Sequence, residues 1–415
     1  MKLASHSEIS AARWDACYER SRQAWLFHSH AWVTLEHKHG AKEQHSFGIV
    51  DADGEVLAIV PLYVYELGLG FFTERVLASG LRVAGIAIRD DVVDAARTAV
   101  QRRIMQEILR IADARDCDRI QLGMHTLAPA CLDKSGPPVP FWLREHGFEP
   151  GIQMGPNGMA PAPGMSTHAL DQVVELDSDL QALEARFDPA CRRALRKARR
   201  AALTGETAAG RAGVERYYAL ATKSAARTGE SLAPLAYFAD LVDTFAPVDK
   251  LHLIFTRFDD ADAAALILLV DKGSASFLAG VSDPEMLGYR VNDFLHYSAI
   301  ELAKSLGAQR YRLGPIFPTL PLDWPVSRVS RFKKKFAGHS LPVVQGSFFR
   351  HPERYLEVGE QILRLNCHAG DDARNAQPEP PDLTSASETT VPRPAPAMKR
   401  STLKRMLRLG LGSHE

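Results

Sequence analysis

The chain has 415 residues, more than one compact core accommodates and enough for two domains with extensions. Its 50 Lys and Arg balance 50 Asp and Glu, so overall charge makes no case for a polyanionic partner and local clusters must carry any such case. Five scattered cysteines, none in a CxxC pair, argue against a disulfide framework or a structural zinc and for a reducing cytoplasm. No signal-peptide core follows Met1, and no apolar run approaches the roughly 20 residues of a membrane helix, so a soluble protein is expected.

In chain order, Ser29 caps a helix through Ala31 and Leu35 that stops at Gly40. Strands flank the acidic turn Asp51-Ala52-Asp53-Gly54, the second covering 56–60. Residues 94–114 have helical apolar spacing and lead to a strand ending on Leu122-Gly123. Residues 151–167, dominated by Gly, Pro and Met, read as a linker. A strand at 172–176 follows, then helices at 180–187, 189–203, 214–228 and 235–245. A second hairpin begins at Leu251, turns at Asp259-Asp260-Ala261-Asp262 and continues through 265–270. A helix containing Leu302-Ala303 then feeds a strand, Arg310 to Gly314. A proline-rich loop at 315–325, a basic segment at 328–336, a strand near 341–349 and a helix at 352–366 complete the folded part. Residues 368–397 lack the large apolar groups that offset chain entropy and read as disordered. Lys399 to Leu409 combines cations with Leu403, Met406, Leu407 and Leu409, a pattern for a short amphipathic helix on an anionic bilayer or for a solvated basic tail.

Strand, acidic turn, strand, helix, strand thus occur twice in the same order, and each helix-to-strand passage ends on Leu-Gly. The expected fold class is α/β (α+β), two tandem domains of mixed sheets flanked by helices. The expected division is 1–150, linker 151–167, 168–366 with a helical insertion, linker 367–398 and basic tail 399–415.

Two segments carry cations. Asp188-Pro189 opens a helix on which Arg192, Arg193, Arg196, Lys197, Arg199 and Arg200 stand against a stripe of Ala190, Ala194, Leu195, Ala198 and Ala202. Such crowding is relieved when a phosphate or diphosphate shares the surface, although charge runs are often solvated faces. In the second segment Phe332 and Phe336 are four apart, so on a helix they anchor one side while Lys333, Lys334 and Lys335 fan outward. Asn292, Asp293 and His296 begin the second-half helix, where they either orient and deprotonate an acceptor or serve as cap and core. Cys191, beside Arg192 in a helix first turn, is either a thiolate nucleophile or an inert packed thiol; the second reading is preferred. His28, His30, His37 and His39 diverge in pairs on a helix, with no ligand set to complete a metal site.

Phe332-Lys333-Lys334-Lys335-Phe336-Ala337-Gly338 resembles the Phe-Lys-x-x-Phe-Gly-Gly signature of the FemAB-like acyltransferases, with Ala337 in place of the first glycine. The Arg-rich helix and Phe27-His28-Ser29-His30-Ala31-Trp32 also resemble segments of that family, and the family's Asp-x-Gly-Gly is here Arg312-Leu313-Gly314-Pro315. Over residues 10–350 the resemblance implies tandem GNAT-like domains that transfer an acyl or aminoacyl group to an amine or hydroxyl. The acceptor would be a small-molecule or lipid-linked glycan: a cell-envelope glycan, exopolysaccharide or peptidoglycan precursor. The implied donor is acyl-CoA, such as acetyl-CoA, with aminoacyl-tRNA as the alternative, so tRNA is a partner only in the second case. No metal is implied. A cytoplasmic enzyme touching the inner membrane face through 399–411 is the matching setting.

Within that reading Lys333 supplies electrostatic stabilisation, Asp293 and His296 act on the acceptor, and Arg192, Arg193, Arg196, Lys197, Lys335 and Asn292 bind substrate. A groove is expected where the Arg helix faces the Lys segment. Arg82-Val83-Ala84-Gly85-Ile86-Ala87 fits the Arg-x-x-Gly-x-Ala pattern with which GNAT enzymes cradle the CoA diphosphate. Asp90, Asp91 and Asp94 bring negative charge to that place, so the match is read as incidental. The alternative to an enzyme is a non-catalytic anion-binding protein that holds RNA or a phosphorylated glycan carrier; the absence of aromatics among the helix cations weighs against RNA.

Overall fold

The computed structural model describes residues 1–40, 43–68, 73–80, 84–132, 142–150, 152–153, 166–167, 169–228, 232–318 and 325–356. Most of the linker at 151–167, Arg82-Val83, the centre of the proline-rich loop, 357–366, the acidic linker and the basic tail lie outside the described residues.

The first half runs β1 (Lys2–Ser5), α1 (Ala11–Glu19), α2 (His30–His39), β2 (Glu43–Gln44), β3 (Phe47–Val50), β4 (Val56–Val60), β5 (Tyr63–Gly68) and β6 (Thr73–Ala78). It continues through β7 (Ala87–Ile88), α3 (Asp94–Ala114), β8 (Arg119–Met124) and α4 (Pro129–Leu132). Short strands β9 (Glu149–Pro150), β10 (Ile152–Gln153) and β11 (Ser166–Thr167) precede the second half. That half holds β12 (Leu170–Glu175), α5 (Leu180–Arg186), α6 (Pro189–Arg200), β13 (Thr204–Ala208), α7 (Gly210–Thr228) and α8 (Leu235–Phe245). It then runs β14 (Leu251–Phe258), β15 (Ala261–Asp271), β16 (Ser274–Ser282), α9 (Val291–Ser305), β17 (Arg310–Ile316), α10 (Pro325–Lys334), β18 (His339–Pro342) and β19 (Val344–Phe349).

The two acidic turns connect equivalent antiparallel pairs, β3 with β4 and β14 with β15. Each unit then places the strand that follows its long helix parallel to a strand earlier in the same unit: β8 beside β6, and β17 beside β16. Ile104, Ile108 and Ile111 of α3 and Leu295, Ala299 and Ala303 of α9 bury the corresponding helix faces. The two Leu-Gly strands therefore occupy matching places, and the chain folds as tandem mixed sheets with helices packed on them.

The expected strand at 341–349 is two strands in different sheets. β18 pairs with β12 in the second half, whereas β19 pairs with β8 and β9 in the first. Pro342 closes β18, since proline has no N–H to continue a ladder, and the next strand leaves for the other sheet. A buried network holds it there: Arg119 pairs with Glu74 at 2.6 Å and reaches Ser347 of β19, and Tyr355 donates to Glu74. The halves also meet where Tyr18 of α1 donates to Asp271 at 2.6 Å, joined by Lys250 at 3.1 Å. β1, α1 and β13 were not expected from the sequence.

The signature glycines have separate causes. Ala337 adopts φ 54, the left-handed region in which the family's glycine costs nothing. A Cβ on Gly338 would lie 2.6 Å from the Val173 carbonyl oxygen of β12. Ala337→Gly is therefore expected to change stability by less than about 1 kcal/mol, relief of strain offsetting the added chain entropy. Gly338→Ala should destabilise by about 2 kcal/mol or more, because backbone cannot yield as a side chain does. Denaturant melts of the two variants measure both.

Candidate active site

In the second half β16 and β17 are laddered only from Ser274–Ser276 to Arg310–Arg312. Beyond Ser276, β16 stays paired to β15 as far as Ser282 but leaves β17. The register against β15 jumps from Leu268 opposite Phe277 to Ile267 opposite Ala279, so Leu278 is an extra residue that turns the strand away. On β17 Leu313 is likewise skipped against β12, and Gly314 follows at φ 92. The two strands part into a wedge.

The first half closes its own wedge. β6 and β8 are laddered over Val76–Ala78 and Arg119–Gln121, after which Gly85 returns to bridge Met124. The approach is so close that a Cβ on Gly85 would stand 1.9 Å from the Gly123 oxygen. Gly85 is required for this contact with β8. Its place in an Arg-x-x-Gly-x-Ala pattern needs no diphosphate to explain it.

A pocket of about 320 Å³ opens between the parting end of β16, the start of α9 and α10. Phe277, Val281, Leu287, Leu295, Val329 and Phe332 give it apolar walls, and Arg290, Arg328, Asn292, Asp293, His296 and Lys335 give it polar groups. α9 starts on Arg290 in the left-handed region at φ 69, with no side-chain cap, so Asn292 is a first-turn residue rather than the helix cap. The turn before α9, Glu285-Met286-Leu287-Gly288-Tyr289-Arg290, has its glycine at the spacing of the diphosphate pattern, with Glu285 for the leading Arg and Arg290 for Ala. Arg290 and Arg328 are exposed and have no carboxylate partner among the described residues.

The polar groups are fixed by buried partners. His296 Nδ1 and the Tyr311 hydroxyl are 2.7 Å apart, and the imidazole lies among the Phe277, Phe332 and Phe336 rings at 5.0–5.6 Å. Burial raises the Tyr311 pKa well above its ordinary value, so the hydroxyl keeps its proton. Lys335 Nζ stands 2.5 Å from Asp293 Oδ1 and 4.1 Å from the Phe332 ring centroid.

Lys333 goes elsewhere. It does not fan outward with its neighbours but lies 5% exposed, its Nζ donating to the Pro315 carbonyl of β17 at 3.0 Å. Arg312 of β17 and Asp171 of β12 lie nearby and pair with each other at 2.6 Å. Burial, aided by the Arg312 charge and opposed by Asp171, brings the Lys333 pKa down to about 7.

The structure gathers Asn292, Asp293, His296 and Lys335 in one pocket. It does not bring the Arg helix there: none of Arg192, Arg193, Arg196 and Lys197 lines the pocket, and the last three are exposed. Arg199 pairs with Glu184 at 2.6 Å. The helix touches the site through its cap, where Asp188 N–H donates to the Lys335 carbonyl at 2.9 Å. Cys191 is fully buried and its thiol is pushed up to about 12, so no thiolate nucleophile forms there. Arg328 belongs to the basic segment the sequence marks, whereas sequence reasoning misses Tyr311, Arg290 and Asp171; only the glycine spacing before Arg290 offers a signal.

Residues 186–319, which contain β16, α9, β17 and most of the pocket, match the acetyltransferase (GNAT) domain family. Among solved structures, the chain is similar to FemX with TM-score 0.61 and 14% identity, covering 86% of this chain and 100% of that one. L-PGS from Bacillus licheniformis follows with TM-score 0.48 and 12% identity over 86% and 97% of the two chains. A tandem GNAT protein from the clavulanic acid biosynthesis pathway has TM-score 0.47 and 10% identity over 84% and 98%. No curated protein matches the chain. The chain thus carries a GNAT acetyltransferase domain at 186–319 within a fold similar to that of FemX, and it is an acyltransferase of the GNAT type. The non-catalytic alternative falls with that assignment. No helix among the described residues is long and apolar enough to cross a membrane.

Removing one partner of the Asp293–Lys335 pair leaves a largely buried charge. Lys335→Met is expected to destabilise by about 2–3 kcal/mol, and Asp293→Asn with Lys335→Met to recover more than half of the loss. Urea denaturation of the single and double variants measures this coupling.

Proposed function

We propose that this acyltransferase draws its acyl group from acyl-CoA, such as acetyl-CoA, bound in the wedge pocket of the second half. The observation that carries the reading is the pocket itself, where the parting end of β16 meets a helix start and two arginines without a carboxylate partner among the described residues stand at the mouth. Arg290 and Arg328 are suited to the diphosphate, the apolar walls to the pantetheine arm, and first-turn N–H groups of α9 to further phosphate contact. An acceptor amine or hydroxyl attacks the thioester carbonyl, an oxyanion forms, and the CoA thiolate departs. His296 is assigned the acceptor proton because Asp293 is already engaged by Lys335. Lys333 is assigned the cation that stabilises negative charge from the β17 side.

The acceptor is proposed to be a cell-envelope glycan, exopolysaccharide or peptidoglycan precursor, small or lipid-linked, a reading supported by the FemX-like fold. Contact of 399–411 with the inner membrane face would bring the enzyme to a lipid-linked acceptor. A second donor, aminoacyl-tRNA, is favoured by one observation: Arg193, Arg196 and Lys197 form an exposed row outside the pocket.

Titration calorimetry with CoA is expected to show one site, weakened about tenfold by Arg290→Ala and by Arg328→Ala and little changed by Arg196→Ala. Lys333→Ala should lower turnover more than affinity. No CoA binding, together with tRNA binding lost in Arg196→Ala, would replace acyl-CoA with aminoacyl-tRNA as donor.

A further inference from the structure

Lys333 and Arg312 are two cations in one largely buried place, which is unfavourable unless an anion is fixed between the surrounding strands. Asp171 supplies it. The residue is 1% exposed on β12, directly opposite Pro315 of β17, whose carbonyl accepts from Lys333. Its Oδ1 meets Arg312 Nη2 at 2.6 Å, and its Oδ2 accepts from the Thr126 hydroxyl. Thr126 follows β8, so the first half's strand end reaches the carboxylate that holds the second half's cations.

Arg312 depends on this contact, since its buried Nε has no hydrogen-bond partner among the described residues. Of the other charged groups on or near α10, Lys335 is engaged with Asp293 and His296 with Tyr311, while Arg328, Arg331 and Lys334 are exposed on the helix itself. His125, beside Thr126, is stacked on Trp25 at 4.7 Å. Arg312 from β17 and Asp171 from β12 are thus the charges that act on Lys333.

We propose that Asp171 is a positioning residue: it clamps Arg312 against β12, supplies the carboxylate that offsets Arg312 and Lys333 beside β17, and ties this cluster to the first half through Thr126. This rests on the role given to Lys333 above. It also accounts for the Arg312-Leu313-Gly314-Pro315 departure. The carboxylate expected on the strand is replaced by a cation, and a carboxylate on the neighbouring strand, opposite Pro315, pairs with that cation.

The test is the titration midpoint of Lys333 in the full chain, followed by NMR of the lysine ε-carbon and assigned by its loss in Lys333→Met. The wild-type midpoint is expected near 7. Asp171→Asn removes the opposing anion and should lower it by about one unit, whereas Arg312→Gln removes the repelling cation and should raise it. A merely structural role would not move the midpoint in opposite directions. An unchanged midpoint in folded Asp171→Asn, or shifts of the same sign, overturns the proposal. Should Asp171→Asn fail to fold, Arg312→Gln decides alone, a rise supporting the clamp and no rise overturning it.

A parallel assay follows transfer from acetyl-CoA to an amino-sugar. If Lys333 acts as a cation, activity falls as pH rises through the midpoint, and that limb moves to lower pH in Asp171→Asn. Opposite midpoint shifts with an unmoved activity limb would leave the clamp standing and remove Lys333 from the reaction.

Discussion

The parting of β16 from β17 is the constraint on which the site depends. Three residues of parallel ladder hold the strands together, and an extra residue on each strand, Leu278 and Leu313, then turns them apart. An open wedge between two strands would expose backbone polar groups and apolar side chains alike. α9 and α10 pack beside it, and the pocket opens between them and the parting end of β16. The same divergence in the first half is closed by the chain's own Gly85 segment, which pairs with β8 where a ligand would otherwise lie. The duplicated fold therefore keeps one wedge open and fills the other.

Charge is arranged around the wedge in separate pairs. Asp293 with Lys335 and Asp171 with Arg312 each neutralise a cation at close range in a poorly hydrated place. His296 is held by a tyrosine that keeps its proton, and Lys333 donates to the Pro315 carbonyl and has a lowered affinity for its own proton. Arg290 and Arg328 remain exposed at the mouth. Ionic groups with partners set geometry, and the two arginines without a carboxylate partner among the described residues face the solution from which an anionic donor would arrive.

Much of the fold was legible because it rests on local patterns. Turn chemistry, apolar periodicity and the repeated Leu-Gly passage located the hairpins, the long helices and the equivalent strands. Long-range pairing was not legible. The apolar run at 341–349 reads as one strand, and only the sheets show that it serves both halves on either side of Pro342. For the site, placement at one helix start puts Asn292, Asp293 and His296 near each other, and the three line one pocket. Spacing could not tell that Lys333 turns inward, because two aromatic anchors fix the helix face only to within a residue's rotation. Nor could it place the α6 cations, whose helix packs its small stripe inward and turns its arginines to solvent.

A crystal structure with a non-hydrolysable acyl-CoA analogue tests the central claim most directly. The account predicts one analogue per chain, with its diphosphate between Arg290 and Arg328 and its thioester mimic in the wedge between β16 and β17. An analogue bound in the first half, or on the exposed face of α6 with the wedge empty, would contradict it.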